Sequence, residues 1–498
     1  MTMNKIHIQI FIFLFLTVII RRTFGQIPTD YHDIQQPIDY QYLSEFLKTV
    51  DRPGFIEITE AGKSIEGRSL FLVHLSHNNR KSNWKLFFYA QQHGNEPAGK
   101  DALIYLIKKI ADDPDYLPKN VDLWIMPMVN PDGAEKKQRR NANDADLNRD
   151  HRLLTQPETR ILHQTTRQIL PHVALDCHEF TRDSKDYSDR GWEEWPLIMM
   201  DCANNPIYPL KLYETGMEWI GRIKLALQKK DINFTRYYVG DLPPENELRH
   251  STLEVDDGRN GIGAYGGFSF IIESGVYRNS ANPDADLAKR IHAYLTIFDQ
   301  FIHCDDRYKD DIEVVENARK SAKPDFIPIN YFWGTTPGTT HDVKVVDKES
   351  GSIIYLKTAN FMNHRVVKNS ISVPKAYVIP SNYSELFKPL LERHAIEYYT
   401  ILDDQFFEVE EVKLIRIEPE FDEVYNRYAN RVITNIQPLE QKIIPKGSLL
   451  IRFDQKFPWK VALLLEPSMM YSIYTEKSFK EIISNDGIMP VYRVINSK

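Results

Sequence analysis

Cysteine is scarce in this chain: its 498 residues hold three, Cys177, Cys202 and Cys304. So small and odd a number excludes a disulfide framework, and the lack of any CxxC spacing argues against a zinc–thiolate centre. Export would still permit one bridge, between a pair the sequence does not specify. Charge of one sign is lacking as well. The net charge is −7, which excludes the basic footprint of a nucleic-acid-binding protein. The apolar run Ile10–Ile20 (IFIFLFLTVII) falls well short of the roughly 20 residues that a membrane-spanning helix needs. Internal repeats and low-complexity tracts are missing too, so a solenoid or a disordered scaffold is not expected.

What the N-terminus does contain is the order of a secretory signal. Lys5 precedes the apolar run, and Thr23-Phe24-Gly25 follows it with small residues near a cleavage position. Residues 1–25 therefore read as a signal peptide. The mature chain is expected to be exported, periplasmic or secreted, with no stable membrane span after cleavage. Arg21 and Arg22 are unusually basic so near the cut, and they keep an uncleaved anchor as the competing reading.

Residues 26–304 alternate apolar β-rich runs with helical patterns, the signature of an α/β unit. Strands are expected at Trp84–Ala90, Val121–Met128, Val173–Cys177 and Phe268–Glu273. Helices are expected at Pro97–Ile110, Pro157–Leu170 and Pro283–Phe301, each with proline suited to its first turn. The predicted fold is a mixed, mostly parallel sheet flanked by helices. The charged stretch Cys304–Glu316 marks a boundary. Beyond it, residues 305–498 read as an appended α+β, β-rich region, with short strands and a strand–helix–strand piece at Lys375–Ile401.

Four elements of the first unit carry chemistry. His93 and Glu96 stand three apart in a turn that enters a helix, a spacing that lets both bind one metal. His178, after Val173–Cys177, offers a third ligand from a separate element, and such a set leaves a position open for water. Glu273 follows Phe270-Ile271-Ile272, where burial would raise its pKa toward the range of a general base. The loop Arg139–Asp150 supplies guanidinium groups, which can clamp a carboxylate or stabilise an oxyanion. Each element alone also has a plainer reading, as solvated loop residues, a strand-end histidine, a carboxylate emerging into solvent, or a basic surface loop.

The order HxxE, RxNxxxxDLNR, DxHE and a strand ending in glutamate resembles the zinc metallocarboxypeptidases of the carboxypeptidase A-like kind, bacterial branch. Asp146-Leu147-Asn148-Arg149 is the most specific piece. The resemblance implies a carboxypeptidase-like fold and one zinc ion per chain, held by His93, Glu96 and His178. It implies that Glu273 is the general base, that Arg139 polarises the scissile carbonyl, and that Asn148 and Arg149 grip the terminal carboxylate. Asp146 would orient the first histidine. The implied activity is removal of C-terminal residues from peptides. A zinc deacylase of N-acyl amino acids, like succinylglutamate desuccinylase, is the alternative, and a non-catalytic binding module is a third reading. The substrate in the first two cases is a peptide or acyl amino acid with a free carboxylate. Two departures stand out. Asp144 occupies a position where many relatives have glycine, and Ser251 one where pancreatic-type members carry a functional tyrosine. Tyr265, Tyr238 and Tyr237 are candidate replacements, although core packing or pocket lining is the simpler expectation for each.

Overall fold

Eight strands form the central sheet: β1 (Ile56–Lys63), β2 (Ser69–Leu75), β3 (Trp84–Ala90), β4 (Val121–Met126), β5 (Val173–Thr181), β6 (Ile198–Cys202), β7 (Phe234–Arg236) and β8 (Phe268–Val276). Their spatial order is β1-β2-β4-β3-β5-β8-β6-β7. The middle of the sheet is parallel, β4-β3-β5-β8, and antiparallel neighbours join it on both sides. This is the mixed sheet expected. The computed structural model describes residues 30–497 apart from 35, 78–83, 241, 243–247, 278–282, 306, 321–323, 325, 423–426 and 484–486. The signal peptide read at residues 1–25 lies outside the described residues.

The strand at the centre shows why the sheet needs cover on both faces. Along β3, Trp84, Leu86, Phe88 and Ala90 point into one core, and Phe87 and Tyr89 into another. A strand buried on both faces reads as a continuous apolar run, as this one does. The first core is filled by α1 (Tyr40–Val50), α2 (Ala98–Asp112), α4 (Leu210–Gln228), α6 (Pro283–Ile302) and α7 (Tyr308–Lys320). The second is filled from α3 (Pro157–Ile169), the short α5 (Gly258–Gly263), and the C-terminal helices α8 (Ser384–His394) and α9 (Pro458–Leu465).

Strands β5 and β8 run past the ends expected for them, Cys177 and Glu273. They pair residue for residue from Phe268 opposite Val173 to Val276 opposite Thr181, and this continuous ladder extends both. His178 and Glu273 therefore lie within strands rather than at strand ends.

The C-terminal region is β-rich and joined to the first unit by backbone pairing. Phe361–Ser372 pairs with Leu248–His250, and His341–Asp347 pairs with Trp192–Glu194. Helix α7, which follows the 304/305 boundary, contributes Val315 and Ala318 to the first core, and Asp311 accepts a hydrogen bond from Trp219 Nε1 at 3.1 Å. No helix among the described residues is long and apolar enough to cross a membrane. The three cysteines are unbridged.

Trp459 of α9 is fully buried against the first unit, and its Nε1 donates to the Ala264 carbonyl at 2.7 Å. Trp459→Ala is expected to lower the unfolding free energy by about 3–5 kcal/mol, read by urea denaturation of the full chain.

Candidate active site

The turn carrying His93 and Glu96 is shaped by close backbone approach. Gly94 lies so near Gly133 that a Cβ would sit 2.1 Å from the Gly133 carbonyl carbon. The Gly94 amide also donates to the Arg139 carbonyl at 3.2 Å. The loop Pro131–Arg140 is thereby tied to the His93 turn, and this brings Arg139 to the site. Helix α2 begins at Ala98 immediately after, so Glu96 is held at its N-terminal end.

His93, Glu96 and His178 converge from this turn and from β5. One ligand atom from each lies within 4.8 Å of the others, and all three residues are buried. His93 Nδ1 is 2.8 Å from Glu96 Oε1, His178 Nδ1 is 3.0 Å from Glu96 Oε2, and the two Nδ1 atoms are 3.1 Å apart. The other nitrogen of each ring faces a carboxylate: His93 Nε2 lies 3.1 Å from Asp146 Oδ1, and His178 Nε2 lies 2.9 Å from Asp176 Oδ1. The hydrogen bond to Asp146 holds the His93 proton on Nε2 and leaves its Nδ1 lone pair facing inward, and the close ion contact with Asp176 favours the same arrangement in His178. Two inward lone pairs and a carboxylate oxygen make a three-ligand set of the kind that binds zinc with a position left open. The donor set therefore fits a divalent metal. Electrostatics point the same way, since Glu96, Asp146, Asp176 and Glu273 are gathered with the guanidinium groups of Arg139 and Arg149 nearby. Burial would raise the Asp146 carboxyl, but His93 and then Arg139 more than reverse this and hold it well below the usual range.

Glu273 is the register partner of His178 on the adjacent parallel strand. Side chains at paired positions share a face, which places the carboxylate beside the metal-ligand set. Burial pushes the Glu273 carboxyl up to about 8, against the pull of His178 and with the push of Glu96. A cavity of about 170 Å³ is lined by His93, Glu96, Arg139, Asn148, Arg149 and Glu273.

Arg139 reaches this cavity, and Arg140 does not. Arg139 Nε donates to Asp146 Oδ2 at 3.0 Å and its Nη1 to Glu96 Oε1 at 3.4 Å. Arg140 turns outward onto Asp144, a residue with φ of 57°. That left-handed backbone is why glycine suits the position, and aspartate is among the side chains that tolerate it. Asn148 and Arg149 lie in the turn Leu147–Arg149, where Asn148 Oδ1 accepts from the Gly258 amide at 2.6 Å. Of the tyrosines weighed for the Ser251 position, Tyr237 lines the cavity together with Ser251. Tyr238 is half-buried beside Tyr187 and Glu194, and Tyr265 is buried against His163. Two further acidic residues support the site. Asp176 backs His178, and Glu179 accepts from the Ala98 amide and from Arg290, which fastens β5 to the start of α2 and to α6. Both were visible in the DxHE motif, but their buried partners were not.

Comparison with known proteins bears on these residues. The zinc carboxypeptidase family profile matches residues 41–189. A 128-residue segment is 37% identical to probable carboxypeptidase 2 of Arthroderma benhamiae, covering 24% of this chain and 24% of that protein. Carboxypeptidase 2 of Trichophyton tonsurans is 25% identical over 465 residues, 87% of this chain and 81% of that one. Similar solved structures include carboxypeptidase A from Helicoverpa armigera, with 18% identity, a TM-score of 0.41, and 58% and 74% of the two chains covered. Another is a metallo-carboxypeptidase from Burkholderia cenocepacia, with 21% identity, a TM-score of 0.41, and coverage of 53% and 70%. The chain thus spans about a quarter of the length of the first of these curated relatives.

The convergence of His93, Glu96 and His178 generates a direct expectation. The wild-type chain should carry one zinc per molecule by elemental analysis, and His178→Ala should carry almost none after the same dialysis.

Proposed function

On the premise that residues 41–189 carry a zinc carboxypeptidase domain, we propose that the chain hydrolyses the C-terminal peptide bond of peptides, and that it does so outside the cytoplasm. The observation that carries the proposal is the pairing of Glu273 with His178 beside the His93–Glu96 turn, with Arg139 facing the same cavity.

His93, Glu96 and His178 would hold the zinc, which when bound supplies Lewis acidity and lowers the pKa of water to about 7. The protein's own groups do the rest. Asn148 and Arg149 hold the terminal carboxylate, and paired hydrogen bonds from a guanidinium fix its orientation. With the chain end so held, only the last peptide bond reaches the ligand set. Glu273 takes a proton from water and returns it to the leaving amine. Arg139 donates to the carbonyl oxygen as its charge develops, a role best filled by a donor held in place beforehand. Asp146 holds Arg139 Nε and His93 Nε2 at once, so it positions both a donor and a ligand.

Mass spectrometry of a pool of peptides and N-acyl amino acids tests the proposal. Stepwise loss of single C-terminal residues is expected. Cleavage of acyl amino acids with intact peptides would instead assign a deacylase. Turnover no greater than that of Glu273→Gln on every substrate would assign a binding module. Glu273→Gln is expected to retain zinc and to lose roughly 100-fold to 10,000-fold in kcat. Arg149→Ala should raise KM on free-carboxylate peptides by about 10-fold to 100-fold, with little effect on amidated ones. Glu273 works as a base only when ionised, and burial raises its pKa. The kcat/KM should therefore fall as pH drops, with a midpoint above the roughly 4.3 of a free glutamate.

A further inference from the structure

Behind Asp176 lies a row of buried polar side chains that the proposed chemistry does not use. Gln92 Nε2 donates to Asp176 Oδ2 at 2.8 Å. Gln92 Oε1 is 2.8 Å from His151 Nε2, His151 Nδ1 is 2.9 Å from His163 Nε2, and His163 Nδ1 is 3.0 Å from the Tyr265 hydroxyl. Gln92, His151, His163 and Tyr265 are all essentially inaccessible to solvent.

With both rings neutral, the direction of every bond in this row follows from its acidic end. A carboxylate only accepts, so the amide nitrogen of Gln92 faces Asp176 and its oxygen faces His151. His151 must then carry its proton on Nε2 and accept on Nδ1. His163 donates through Nε2 and accepts on Nδ1 from the Tyr265 hydroxyl. Each neutral ring is thereby held in one tautomer. Burial also holds both rings in the neutral form, His151 down to about 4 and His163 well below its ordinary value.

The surrounding backbone is fitted to the row. A Cβ on Gly258 would lie 2.3 Å from Asp176 Oδ2 and 2.5 Å from Gln92 Nε2, and a Cβ on Gly261 would lie 2.5 Å from His151 Cβ. Glycine at these two positions lets helix α5 lie directly on the row. The far end rests on the C-terminal region. Lys460 Nζ stands 4.0 Å from the Tyr265 ring centre, Phe457 packs against the ring edge at 5.3 Å, and Trp459 holds the preceding carbonyl.

We propose that Gln92, His151, His163 and Tyr265 form a one-directional hydrogen-bond relay that positions Asp176, and through it the metal ligand His178, with α9 of the C-terminal region seating its outer end. These are positioning residues, and the inference rests on the metal site proposed above. It gives the appended region a definite task, since Lys460 and Trp459 of α9 cover the Tyr265 end of the row. Coupling of this kind is carried by a contiguous network of hydrogen bonds and packed groups.

The test is the zinc dissociation constant of the full chain, measured by competition with a chromophoric chelator, together with the visible spectrum of the cobalt-substituted protein. His163→Leu should weaken zinc binding by between about twofold and thirtyfold, the range found for changes along such networks, and should shift the cobalt bands. His163→Gln, which can donate to His151 and accept from Tyr265, should restore both. Tyr265→Phe, which keeps the ring and removes only the hydroxyl, should weaken binding in the same direction and covers the case in which His163→Leu does not fold. Unchanged affinity and cobalt spectrum in Tyr265→Phe and in folded His163→Leu, with wild-type zinc binding intact, would overturn the relay alone. A wild-type chain that binds no zinc would overturn the metal site and the relay with it.

Discussion

The parallel pairing of β5 with β8 is the constraint on which the site depends. It sets His178 opposite Glu273 and, two residues earlier on the same face, Asp176 opposite Ile271. A slip of one residue would turn the members of one strand to the other face, and the histidine and glutamate would part. The register is protected from behind. Cys177, on the reverse face of β5, lies so close to α2 that a Cβ on Gly99 would fall 2.4 Å from its own. That contact docks α2 at a fixed height, and Glu96, just before the helix begins, arrives where His178 needs it. Candidate ligands from two distant parts of the chain are thus fixed by one ladder and one glycine contact.

Charge is the second organising factor. Buried carboxylates are costly unless each has a partner, and this pocket gathers several. Asp146 is shared between His93 and Arg139, and Glu179 is taken up by Arg290 and the Ala98 amide. Asp176 faces Gln92 and His178. What these pairings leave over is an inward cluster of imidazole and carboxylate atoms, whose negative character a divalent cation would balance. The anionic surroundings that make the folded apo-site expensive are the same ones that would make a metal welcome.

Much of this was legible in the sequence, and the rest was not for identifiable reasons. The start of β3 and of α2 followed from an apolar run and a helix-initiating proline, which are local signals. His93, Glu96, Arg139, Asn148 and Arg149 stood in short motifs with readable spacing, and the structure gathers them around one cavity. The ends of β5 and β8 were not readable, because they are set by pairing between residues far apart in the chain. The His151–His163 pair gave no motif, since α3 and the loop after Arg149 meet only in the folded chain. The boundary at residues 304 and 305 followed a change in composition, but composition does not record that Leu248–His250 and Trp192–Glu194 pair with strands beyond it.

The position of α9 has a consequence for how the chain comes to be made. Synthesis runs from the N-terminus, so His93, Glu96, His178 and Glu273 all emerge long before Trp459 and Lys460. Until those two arrive, the carbonyl of Ala264 and the ring of Tyr265 lack the cover they have in the finished molecule. A nascent chain carrying all four would still have one wall of its second core open to water. This late helix therefore acts as a keystone, and the second core that backs the pocket reaches its final form only after Trp459 and Lys460 have been made.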